Sequence, residues 1–151
     1  MRILLLATIL MYGCGGVDPI WTGNSDMLDL VARFYVEWDS RTDTRHPVSD
    51  IDIGYMTAGE RDLAPSDAIG FWQCGTIRIA IDRDTWRDLD SLGREQLVFH
   101  EMGHYILSRR HDRGEFRCPW GMCPASIMNP YHIDSDIYDR YREMYLGKLL
   151  R

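Results

Sequence analysis

His100, Glu101 and His104 fall within five residues in the stretch VFHEMGHYILSRRHD, residues 98–112, and His111 follows seven residues after His104. On a helix, His100 and His104 are one turn apart and project from the same face. That spacing lets two imidazole nitrogens reach one zinc ion at about 2.0–2.1 Å. Glu101 is turned roughly 100° from His100, which sets it beside such an ion and not on it. A carboxylate in that place can hold a zinc-bound water and take its proton, because zinc lowers the pKa of that water to about 7. The carboxylate would then hand the proton to a leaving amine.

Two histidines do not complete a catalytic zinc site, which has three protein ligands and an open position. His111 is the leading third ligand. Asp112 is the neighbouring alternative, or else a group that orients a ligand. Seven residues past His104 is two helical turns, roughly 10 Å of rise. The helix must therefore end near 107–110 and the chain must turn back. Gly103 costs a helix about 1 kcal/mol against alanine, which predicts that another segment packs closely on the backbone there. The reading without a metal makes the histidines core residues of a buried helix, where each needs a polar partner.

The elements that must position these residues are legible as patterns. Residues 91–110 read as one long helix, with Leu97 and Leu107 on the histidine side and Val98, Met102 and Tyr105 on a second stripe. A helix over about 26–38, capped by Asn24 or Ser25, carries Leu30, Phe34 and Trp38 four apart, widened by Met27, Leu28 and Val31. Residues 51–56 alternate Ile51, Ile53 and Tyr55 with other residues, and 76–82 alternate Ile77, Ile79 and Ile81; both predict strands. Residues 57–73 are mixed, with AGERDLAPSDA as a loop, and 83–91 lead into the histidine helix. Ile137, Tyr141 and Tyr145 repeat at four in a C-terminal helix. The order helix–strand–strand–helix–loop–helix predicts a small α+β domain.

A chain of 151 residues fits one domain with a sizeable core. Its net charge of −6 and lack of a basic run argue against nucleic acid as a partner. Arg109-Arg110 is the only arginine pair, and it adjoins the histidines. At the N-terminus, Arg2 precedes an apolar run from Ile3 to Tyr12, too short to span a bilayer but built like the core of a signal peptide. The following Gly13-Cys14 resembles the lipobox of bacterial lipoproteins. The expected organisation is a signal peptide at 1–13, a lipid-bearing Cys14 as first mature residue, a tether at 14–25 and a domain at 26–151. That places the protein in the cell envelope, periplasmic or at the outer surface, anchored to the membrane by its lipid. An ordinary signal peptide with secretion is the alternative. With Cys14 lipidated, Cys74, Cys118 and Cys123 leave one disulfide and one thiol. Cys118–Cys123 is the local candidate, and Cys74 with either remains open.

HEMGHYILSRRH resembles the zinc motif of the metzincin metallopeptidases, H-E-x-x-H-x-x-G-x-x-H. SIMNPY, Ser126 to Tyr131, resembles the Met-turn of that family, with Met128 as its methionine seventeen residues after His111. A final helix follows the Met-turn there and here. The pattern H-E-x-G-H, R-x-H-D and S-I-M-N-P-Y is also similar to that of small exported bacterial proteins. The resemblance covers about 75–151, half the chain. Two departures fall in one turn: Leu107 stands where the family has glycine, and the third histidine comes one residue late. One extra residue lets the chain reverse without a positive φ at 107.

The resemblance implies a small zincin-like domain with a short mixed sheet, an active-site helix, a Met-turn and a C-terminal helix. It implies a zinc metalloendopeptidase with His100, His104 and His111 as ligands, Glu101 as base, and a protein or peptide as substrate. It places strand 76–82 at the cleft edge, where an extended substrate pairs with it. Tyr131 lies three residues after Met128, whereas a metzincin tyrosine that steadies the transition state lies two after, so that role is not carried over. His46 and His132 read as surface or structural histidines. The competing readings are a gluzincin-like peptidase with Glu143 as third ligand, and a lipid-anchored zinc-containing binding module without turnover. The intact Glu101 argues against the latter. A monomer is expected.

Overall fold

Isoleucine at every second position builds the centre of the sheet. The computed structural model describes residues 20–44, 49–63, 68–73 and 76–151, with the backbone alone for 63 and 68–73. The signal segment, Cys14, His46 and Cys74 lie outside the described residues. The chain runs β1 (Trp21–Gly23), α1 (Ser25–Arg41), β2 (Asp50–Tyr55), α2 (Ala58–Leu63), β3 (Ala68–Gln73), β4 (Thr76–Ile81), α3 (Arg83–Asp88), α4 (Ser91–Tyr105), β5 (Glu115–Cys118), β6 (Gly121–Pro124) and α5 (Ser135–Leu149). Helices and small sheets mix in one α+β architecture, as expected. Among the described residues, no helix is long and apolar enough to cross a membrane.

The main sheet has the order β1-β2-β4-β3. β1, β2 and β4 are parallel and β3 is antiparallel to β4. Ile51 pairs with Ile77 and Ile53 with Ile79, and all four are fully buried with Ile81. Asp52 and Arg78, at alternate positions, carry charge: Arg78 reaches Asp52 at 3.3 Å and, outside the strands, Glu60 at 3.0 Å. A one-residue slip would put these charges into the core, so the alternation fixes the register.

α1 starts at an Asn24 cap whose side chain accepts the Asp26 N–H at 3.0 Å. It buries Met27, Val31, Phe34 and Tyr35. α4 starts at Asp90, which accepts the Gly93 N–H at 2.7 Å, and it buries Val98, Phe99 and Met102. Phe34 meets Phe99 edge-on at 5.2 Å between ring centres. Polar groups lock the same helices. The Glu95 carboxylate, buried on α4, accepts hydrogen bonds from Arg33 on α1 (2.9 Å) and from Tyr138 (2.8 Å) and Arg142 (2.7 Å) on α5. An ionised carboxylate is tolerable there because three donors saturate it.

The structure corrects several expectations. The stretch 57–73, read as mixed with a loop, holds α2 and β3. β3 has no period-two pattern to betray it; its register comes from β4. Within the expected tether 14–25, residues 21–23 form β1, paired with β2. Residues 83–88, expected only as a lead-in, form α3 behind an Asp82 cap that accepts the Asp84 and Thr85 N–H groups. α4 ends at Tyr105, earlier than 107–110. Strand 76–82 does not lie at an edge: β4 is paired on both sides, and β3 is the outer strand, packed against α4. Cys118 and Cys123 form the local disulfide, closing the β5–β6 hairpin across a Cα separation of 5.9 Å.

Candidate metal centre

α4 carries His100 and His104 on one face, and the turn after it brings back His111. Ile106 continues the helix with its N–H on the Met102 carbonyl at 2.8 Å. Ser108 then adopts φ 53°, the left-handed region, and the Arg109 N–H returns to the Gly103 carbonyl at 2.9 Å. Leu107 has no positive φ. The late third histidine and the displaced left-handed residue thus compensate for each other within one turn, as the spacing suggested.

The result is a cluster of three imidazoles. The Nε2 atoms of His100 and His104 are 3.0 Å apart, and those of His100 and His111 are 3.2 Å apart. Two of the rings are oriented from behind. His100 Nδ1 donates to the Ile127 carbonyl at 2.8 Å, and His104 Nδ1 donates to the Arg109 carbonyl at 2.7 Å. A carbonyl can only accept, so each Nδ1 carries the hydrogen and each neutral ring presents a bare lone pair at Nε2. Lone pairs aimed at one another at such distances repel unless a cation lies between them. Nitrogens on a tetrahedral zinc would be roughly 3.3 Å apart, given bonds of 2.0–2.1 Å. The donor set therefore fits a metal ion, and the three histidines form a group that can hold one.

Electrostatics favour the ligand form of His100 and His111. Burial pushes His100 down to about 4, as would a proton on the neighbouring His104 or His111, against the hydrogen bond to Ile127. Burial lowers His111 too, helped by His104 and Arg113. Glu101 is 7% exposed. Burial raises its carboxyl to about 7, and no side chain or backbone group among the described residues donates to it.

The segment 126–131 underlies this arrangement. Ser126, Ile127, Met128 and Asn129 are buried. The turn is closed by the Asn129 N–H on the Ser126 carbonyl (3.0 Å) and by the Met128 N–H on Ser126 Oγ (3.1 Å). Its Ile127 carbonyl holds His100, and its Met128 carbonyl accepts the Asp112 N–H at 2.9 Å, next to His111. The Met128 side chain packs on Gly103: a Cβ there would lie 2.5 Å from Met128 Sδ and 3.0 Å from Leu149 Cδ1. The close approach expected at Gly103 is thus made by the methionine of the turn and by α5.

Other candidates stay outside the cluster. Asp112 bonds Lys148 at 2.7 Å and the Gly114 N–H at 2.8 Å; the Lys148 hydrogen bond holds its carboxyl below the usual range. Glu143 pairs with Arg41 at 2.9 Å. Tyr131 is 71% exposed. His132 sits at the start of α4, 3.1 Å from where a Gly93 Cβ would be. The carbonyls of Arg109 and Ile127 were not legible in sequence, since a backbone acceptor leaves no mark in residue type. No family model, curated protein or solved structure matches the chain.

Proposed function

We propose that the protein is a zinc-dependent metallopeptidase of metzincin type, with a zincin-like fold and the 126–131 segment as its Met-turn. The observation that carries this is the convergence of three imidazole Nε2 atoms, two with tautomers fixed from behind, next to a buried carboxylate without a partner. A structural metal site has no use for that carboxylate, which argues against the alternative of a zinc-containing binding module without turnover. The Glu143 ligand of a gluzincin-like site is also disfavoured, since that side chain is engaged by Arg41.

His100, His104 and His111 would hold the ion. Zinc there supplies a Lewis acid that polarises a peptide carbonyl and acidifies water. Glu101 takes a proton from the attacking water and delivers it to the departing amine nitrogen as the C–N bond breaks. The products are a carboxylate and an amine. The outer edge of β3, antiparallel and packed against α4, offers main-chain hydrogen bonds to an extended peptide. The Cys118–Cys123 disulfide supports an oxidising compartment, in keeping with export directed by Ile3–Tyr12 and anchoring at Cys14.

Elemental analysis of the purified protein tests the reading. One zinc per chain is expected in wild type and in Glu101→Ala, with loss in His111→Ala. Glu101→Gln should lower cleavage of a peptide pool by about 10²–10⁴-fold. A folded wild type that takes up no zinc would end the peptidase reading. Zinc kept by His111→Ala would move the third ligand elsewhere.

A further inference from the structure

We infer that the arginines flanking His111 select acidic peptides, with Arg110 and Arg113 as the main contacts; this rests on the peptidase reading. The stretch from Tyr105 to Gly121 holds four arginines and two acidic residues in a chain of net charge −6. One of those acids, Asp112, is already neutralised by Lys148 at 2.7 Å. This stretch is therefore net positive on an acidic protein.

These cations also differ in how they are used. Elsewhere among the described residues, arginines are tied down. Arg33, Arg41, Arg61, Arg78, Arg87 and Arg142 make ion pairs. Arg83, Arg94 and Arg140 lie over aromatic rings. Among the described residues, apart from Arg151, only Arg109, Arg110, Arg113 and Arg117 have side chains without an ion pair, hydrogen bond or ring partner. The Arg109 Nε is buried without an acceptor. Arg110 and Arg113 are exposed on either side of the exposed His111. A guanidinium offers a fork of donors that matches a carboxylate. The two exposed forks that flank His111, Arg110 and Arg113, suit Asp and Glu side chains near the scissile bond.

The test compares two fluorescein-labelled peptides that differ only in carrying four Glu or four Gln. Binding is read by fluorescence anisotropy on the Glu101→Gln protein, so that no peptide is consumed. The Glu peptide should bind about fivefold more tightly at low salt, as expected for exposed ion pairs, and the advantage should shrink as salt rises. It should vanish in a protein also carrying Arg110→Gln and Arg113→Gln. It should persist with Arg87→Gln, a surface arginine on α3. Equal binding of the two peptides, or a preference that survives the double substitution, overturns the inference. Incubation of both peptides with wild type separates the two claims. A binding preference without cleavage supports the arginine patch and overturns the peptidase reading. Cleavage of both peptides at equal rates keeps the peptidase reading and overturns the inference.

Discussion

At the scale of single residues, the centre depends on what lies behind each histidine. Spacing in the sequence was enough to put His100 and His104 on one face. It could not give the carbonyls of Ile127 and Arg109 that fix the two tautomers, because they are main-chain groups set by the later course of the chain. Gly103 was legible as a close approach, although not its partner. Gly103→Ala sets a gain in helix propensity of about 1 kcal/mol against overpacking that costs about 1–3 kcal/mol. The added Cβ would meet Met128 and Leu149, both buried, so the loss should prevail. Urea unfolding should show a net destabilisation of about 1 kcal/mol, together with weaker zinc retention. A more stable variant with unchanged zinc affinity would mean that the Met128 side chain moves aside freely.

At the scale of elements, the turn after α4 decides whether a third ligand exists. Its left-handed residue is Ser108 and not glycine. A β-branched residue is a poor occupant of that region, and the left-handed conformation costs roughly 1–2 kcal/mol in general. Ser108→Val should destabilise by about that amount and loosen His111, whereas Ser108→Gly should be neutral or slightly stabilising. Thermal unfolding with and without zinc would measure both; a tolerated valine would show that the turn has another route. The elements legible in sequence were those with a strong period: α1, β2, β4, α4 and α5. The rest are short or borrow their order. β1 has three residues, and β5 and β6 have four each; within the hairpin only the two cysteines gave a local signal. β3 is held by pairing with β4, a contact that no local pattern announces.

At the scale of the whole molecule, Glu95 joins α1, α4 and α5, the three helices around the centre. Burial alone would raise its carboxyl, but hydrogen bonds from Arg142, Arg33 and Tyr138 outweigh it and hold it below the ordinary value. The folded state therefore binds this proton less readily than the unfolded chain. The contribution of Glu95 is complete above the unfolded pKa and is lost as pH falls through the folded one. Stability should drop below about pH 4, and Glu95→Gln should cost about 3 kcal/mol at pH 7 and flatten that part of the profile. Denaturant melts at pH 7 and pH 3 would read both; an unchanged acid limb in the variant would assign the effect to other carboxylates. The end of α5 has a consequence in time. Leu149 abuts Gly103 and Lys148 grips Asp112, yet both are made long after the three histidines they steady. A chain stopped after Gly147 is expected to hold zinc less tightly than the intact one; equal affinity would deny the clasp a role. During synthesis, then, the histidines emerge first and the groups that brace them emerge later. A chain still leaving the ribosome has no finished centre, so, if the proposed peptidase reading holds, its own cleft is not assembled while its own backbone is still extended.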